Sequence, residues 1–163
     1  MQYNDAATKE LAKKTEIIKL LNWLKENDCI FDKVQWPAVY GNGLVGCLAL
    51  EDIKPLEAFV YVPIRCQMSV EHAKASEIGV MFTNHDSLFV GNYYRDVLIV
   101  CIFLMYERMK GEDSFWAPFI NTLDAGVPTA YWDEAILDKS DYLEFKYGLE
   151  CSKTRYDDEW DKV

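Results

Sequence analysis

At 163 residues, half of them apolar and 14% aromatic, the chain has the length and apolar content to bury a core as one domain, which excludes a disordered tail. Its 27 acidic against 17 basic residues leave a net charge of −10 and a pI of about 4.6. That balance argues against nucleic acid and anionic membrane surfaces as partners, since both select a basic face, and is compatible with a basic protein segment.

In chain order, residues 1–7 are polar and read as a disordered, frayed tail. From Thr8 to Asn27, Leu11, Ile17, Ile18, Leu21 and Leu24 recur on one face with Lys and Glu opposite, predicting an N-terminal amphipathic helix over 8–28, with Trp23 at the edge of that face. Ile30 to Trp36 reads as a short strand closed by Pro37. A second strand runs from Leu44 to Leu50, with Gly46 marking a bulge or a close approach. Glu51 to Pro55 is a turn, because Pro55 biases Lys54 away from helix. Glu57 to Val62 is a third strand, with Phe59 and Tyr61 facing opposite to Ala58, Val60 and Val62. Three short strands joined by tight turns predict a small antiparallel sheet.

The rest is mostly helical, which makes the fold class α+β. Ser69 is an N-cap for a helix through Ala75, with Glu71 in its first turn. Ile78 to Gly91 reads as a loop. Asn92 to Lys110 is the strongest helical pattern, apolar nearly all round and so expected at the centre of a helical layer, with Gly111 ending it. Phe115 to Phe119 predicts a one- or two-turn helix, and Thr129–Leu137 and Ser140–Tyr147 predict two more. The last dozen residues are polar and charged.

Few residues suggest chemistry. Of the five cysteines, four lie within or beside apolar stretches and read as small buried residues; no C-x-x-C pair exists and only two histidines are present, so no metal site is expected. Asn84-His85-Asp86 joins a base to a carboxylate but lacks a recognisable nucleophile, and reads as a solvated loop. The N-terminus carries no signal-peptide pattern, and the longest apolar run, the nine residues Val97–Met105, falls short of the ~18–20 that span a bilayer. The expected location is cytoplasmic or nuclear. At Gly41-Asn42-Gly43, two glycines around an Asn let the backbone take positive φ and approach a ligand or a strand closely. The residues alone leave a plain hairpin turn and a ligand-contacting turn both open.

The run Tyr40-Gly41-Asn42-Gly43-Leu44, continued by Asp52-Ile53, Glu57 and Val62-Pro63, resembles the opening of the SET domain in protein methyltransferases related to the Rubisco large-subunit lysine methyltransferase and the actin-histidine methyltransferase. Trp23-Leu24-Lys25-Glu26-Asn27 is similar to the family's upstream helix. Leu104 to Arg108, with Ser114-Phe115-Trp116-Ala117-Pro118-Phe119 and Leu123, is similar to its buried helix and the segment after it, and Tyr131-Trp132 to the stretch that follows. The resemblance implies S-adenosylmethionine as cofactor, with main-chain amides and carbonyls of the turn presented to it. Tyr40, Gly41, Asn42, Gly43 and Leu44 would be the cofactor-binding residues and a protein lysine or histidine the methyl acceptor.

It also implies a partial site. The family's Asn-His cofactor motif follows a long helical insert, whereas Asn84-His85 precedes the long helix here; Tyr147-Gly148-Leu149-Glu150-Cys151 does not match the family's later tyrosine motif. Residues 29–131 are accordingly read as the N-terminal part of a SET domain and 132–163 as the start of a truncated insert, with no catalytic residue assigned. Truncation would leave an apolar surface exposed, through which such a fragment would associate. The alternative is a non-catalytic SET-like module that binds a partner protein, or a subunit of a larger assembly.

Overall fold

The computed structural model describes residues 2–41, 43–89, 94–123, 126, 132, 133, 135 and 143–160. The chain forms two compact units, Met1–Phe82 with Asp96–Leu123, and Thr83–Arg95 with Asp124–Val163.

In the first unit, the residues read as a frayed tail are structured. Asn4 caps helix α1 (Asp5–Leu11) by accepting from Ala7 N at 3.0 Å, and Asp5 places a carboxylate in the first turn. The single predicted N-terminal helix is two, because Lys14 is extended (φ −63, ψ 137) and α2 (Thr15–Glu26) starts after it. Helix α2 buries Ile17 and Leu20. Asn27 closes α2, its side-chain amide donating to Trp23 O at 2.8 Å.

The antiparallel sheet is present with shifted bounds. It pairs β1 (Val34–Tyr40) with β2 (Leu44–Ala49), Tyr40 opposite Leu44 and Val34 opposite Ala49. Pro37 does not close the strand as expected. It sits in a register shift between Gln35 and Ala38, where its missing N–H removes no ladder bond. A turn at Phe31–Val34, with Val34 N donating to Phe31 O at 3.1 Å, delays the start of β1. The third predicted strand, Glu57–Val62, forms only an isolated bridge between Tyr61 and Ile30, so the sheet has two strands among the described residues.

Helix α3 (Val70–Ala75) forms as predicted, with Ser69 Oγ accepting from His72 N. The stretch read as a loop after it instead forms α4 (Gly79–Asn84) and a 3-10 turn at Asp86–Leu88. The long helix α5 (Arg95–Met109) is not buried all round. Ile99, Phe103 and Glu107 face the core, while Val97, Cys101, Met105 and Met109 form an exposed stripe, Met105 at 64%. Gly111 follows it at φ +60. Helix α6 (Ala117–Ile120) packs on α2, and an aromatic cluster lies close by. Trp116 meets Phe103, Phe115 and His72 edge-on, and Phe115 meets Trp23. Ser114 Oγ donates to the buried Glu107 carboxylate at 2.6 Å and Lys110 Nζ donates at 2.7 Å, so that charge is paired.

In the second unit, Arg95 donates to Asp86 Oδ1 at 2.8 Å, and α7 (Leu143–Trp160) carries helix well past the Tyr147 end that was predicted. Most of the helix predicted over Thr129–Leu137, and Tyr131, lie outside the described residues. Among the described residues no helix is long and apolar enough to cross a membrane.

Candidate functional site

The tight turn between β1 and β2 is where the sequence-predicted residues come together. Gly41 lies at φ +50 and Gly43 at φ +105, conformations that a side chain disfavours, and a Cβ built on Gly43 meets nothing within 4 Å. Space beside the turn is therefore open. Gly41 and Gly43 are exposed, as is Leu44 at 56%. Asn42 lies outside the described residues.

Both glycine amides are already engaged within the fold. Gly43 N donates to Tyr40 O at 3.1 Å, closing the turn, and Gly41 N donates to Gln2 O at 2.9 Å. What the glycine backbone offers is its carbonyl oxygens, which suit an ammonium. Tyr40 braces the turn: its hydroxyl donates to Cys47 O at 2.8 Å and its ring lies against Gly46, where a Cβ would come within 3.5 Å of it.

Sequence reasoning missed the N-terminal segment that holds this turn. Tyr3 bridges to Tyr40, their rings 5.9 Å apart edge-on, and Asn4 N donates to Val39 O at 2.8 Å. Thr8 Oγ1 accepts from Val39 N at 2.9 Å. The available signal was Asn4 followed by Asp5, a cap with an acidic first turn. At the far end of the hairpin, Lys33 pairs with Glu57 and, at 3.4 Å, with Glu51. The Glu57 hydrogen bond holds the Lys33 ammonium above its ordinary pKa, while Lys33 and the Lys54 amide hold the Glu57 carboxyl below its own.

Other candidates are dispersed. Asp86 pairs with Arg95, and His85 is exposed. His72 Nδ1 lies 3.1 Å from Ser69 Oγ at the start of α3, a capping arrangement. Of the cysteines read as buried, Cys29 and Cys66 are, whereas Cys47 on β2 and Cys101 on the α5 stripe are exposed. Among the described residues no group of three or more His, Cys, Asp or Glu is placed to hold a metal ion.

No protein-family model matches the chain. It is 32% identical over 128 residues to the actin-histidine N-methyltransferase of Xenopus tropicalis, a match covering 77% of this chain and 20% of that protein. Its fold superposes on the SET domain of LSMT bound to methyllysine and AdoHcy with a TM-score of 0.69 at 26% identity, covering 90% of this chain and 32% of that one. The chain is homologous to the SET-domain protein methyltransferases. A structure of Rubisco LSMT bound to AdoMet gives a TM-score of 0.59 at 28% identity, over 75% of this chain and 27% of that one. The chain spans about a fifth of the length of the actin-histidine relatives it matches (20%). This SET-like chain thus carries the expected α+β architecture with a small antiparallel sheet.

Proposed function

We propose that this chain contributes one side of the cofactor site of an S-adenosylmethionine-dependent protein N-methyltransferase acting on lysine or histidine. The observation that carries the reading is the likeness to actin-histidine N-methyltransferase over 77% of the chain, a span that takes in the Tyr40–Leu44 turn wherever it begins. In this reading 29–131 is the N-terminal part of a SET domain and 132–163 the start of an insert, and the protein works in the cytoplasm or nucleus.

The cofactor supplies, when bound, an activated methyl group with its own leaving group. The chain's part is to bind and orient. Without a Cβ at Gly41 or Gly43, the backbone of the turn can come close to the ligand, and its carbonyls accept from the α-ammonium of the methionine end. Tyr40, tied to Cys47 O and braced by Tyr3, keeps the turn in shape, Leu44 offers exposed apolar surface beside it, and Asn42 completes the set. Holding cofactor and acceptor in fixed geometry is the main source of rate in such a transfer.

Calorimetric titration with S-adenosylmethionine tests the reading. Binding that weakens at least about tenfold in Gly43→Val, through loss of close approach, is the expected result. Binding unchanged in Gly43→Val and Gly41→Val would remove the turn from the site.

The exposed stripe Val97, Cys101, Met105 and Met109 favours a second reading, a non-catalytic SET-like module that associates with a protein through this surface. Such a module would hold a partner with no response to S-adenosylmethionine.

A further inference from the structure

Four parts of the first unit surround an apolar cavity of about 450 Å³. Helix α2 supplies Leu20, Trp23 and Leu24, β1 supplies Trp36, the chain just before α3 supplies Met68, and α6 supplies Phe119. Such a volume lies within the range of small-molecule pockets, roughly 300–1,000 Å³. None of Tyr40, Gly41, Gly43 or Leu44 lines it, so it is separate from the candidate cofactor turn.

The wall holds a polar group that the fold leaves unpaired. The Trp23 indole Nε1 is buried and has no hydrogen-bond acceptor among the described residues. A neighbouring indole is satisfied, since Trp116 Nε1 donates to Cys66 O at 3.2 Å. The Trp23 ring meets Phe115 edge-on, 5.3 Å between centroids and 62° between planes, which offers the N–H at most a weak π contact. A buried donor without a partner is costly, and native structures seldom keep one without a reason. The rest of the wall is apolar apart from Gln67, whose amide nitrogen is taken up by Val62 O at 2.9 Å.

A ligand that suits this wall is aromatic and carries one acceptor. An apolar cavity of about 150 Å³ holds one benzene ring, so this space takes two fused rings with a substituent. Water would face apolar wall on most sides and gain little there.

We propose that the cavity is a binding site for a small bicyclic aromatic compound carrying one carbonyl group. Its rings lie among Trp23, Trp36 and Phe119, offset or edge-on to them. A small rotation of the Trp23 indole as the rings enter turns Nε1 onto the carbonyl oxygen, which accepts from it. Met68 fits itself to the ligand, because its unbranched thioether side chain re-packs readily. A compound held there joins α2 and α6 to β1, the strand that leads into the Tyr40–Leu44 turn. The inference does not rest on the methyltransferase reading and stands or falls separately from it.

The test uses the full nitrogen-labelled chain and two probes, 1-indanone and indane, which share a two-ring skeleton and differ in the carbonyl. Trp23→Phe identifies the Trp23 indole signal by its loss. Titration with 1-indanone should move the Trp23 and Trp36 indole N–H signals in a saturable way, Trp23 to lower field as its hydrogen bond forms. Indane should bind about three- to tenfold more weakly and produce no low-field shift at Trp23. In Trp23→Phe the two probes should bind alike, and Met68→Trp, which fills the cavity, should abolish binding of both. If Trp23→Phe does not fold, the indole signal is assigned from the natural chain, and the two probes with Met68→Trp read the same site. Equal affinity of the natural chain for both probes, a Trp23 signal that stays in place, or shifts that spare both indoles would each overturn the proposal.

Discussion

The hydroxyl of Thr8, 1% exposed, donates to Asn4 O at 2.8 Å and accepts from Val39 N at 2.9 Å, so one atom ties α1 to the strand that leads into the turn. Thr8→Val keeps the shape and removes both bonds, leaving a buried amide without a partner. Chemical denaturation should show a loss of about 1–3 kcal/mol, with Thr8→Ser far milder because the hydroxyl is kept. At Gly43 the balance differs. Nothing lies within 4 Å of a Cβ there, so a side chain in the free protein meets only the backbone penalty of φ +105, of order 1–2 kcal/mol. Its larger effect falls on a ligand approaching the turn. The two glycines were legible in the sequence as the positive-φ positions of the turn, because that conformation has a residue-level signature. The engagement of the Gly41 amide by Gln2 was not, because it depends on a segment some forty residues upstream folding back onto β1, whereas the Gly43–Tyr40 bond is local to the turn.

At the level of elements, the hairpin is fastened to the 51–57 turn by Lys33, Glu51 and Glu57. The Glu57 pKa is lowered from 4.5, so its contribution is present above the unfolded value and lost as pH falls through the lowered folded value. The Lys33 pKa is raised from 10.5, so its contribution is present below that value and lost as pH rises through the raised one. Amide exchange at Lys54, whose N–H donates to Glu57 Oε2, should stay slow between these limits and quicken below the acid one; Glu57→Gln should erase the acid limb. The hairpin and α3 followed from local chemistry, a Gly-rich turn and a serine cap. The Glu57–Val62 strand did not form because alternation alone does not provide a pairing edge: only Tyr61 finds a partner, in Ile30. Pro37 was misread because a register shift, which sequence spacing does not reveal, accommodates it inside β1.

For the whole molecule, the order of motifs along the chain carried more than any single one. It led to the SET-domain family, while the residues alone stopped at an α+β domain with one turn of interest. Helix α5 shows the limit of composition. An all-round apolar pattern implied full burial, yet Val97, Cys101, Met105 and Met109 are exposed. Against this attraction stands a net charge of −10, which opposes self-association and is screened by salt. Light scattering should show association that grows with ionic strength and is suppressed by Met105→Lys or Met105→Glu. Equal association across all three proteins would assign it to another surface.

The central claim, that the Tyr40–Leu44 turn faces S-adenosylmethionine, is tested most directly by nuclear magnetic resonance of the nitrogen-labelled chain titrated with that compound. The amide signals of Gly41, Gly43 and Leu44 should move in a saturable way, and Gly43→Val should abolish the movement while the signals of α2 and α5 stay in place. Saturable shifts confined to other residues, or a Gly43→Val protein that responds as the natural chain does, would contradict it.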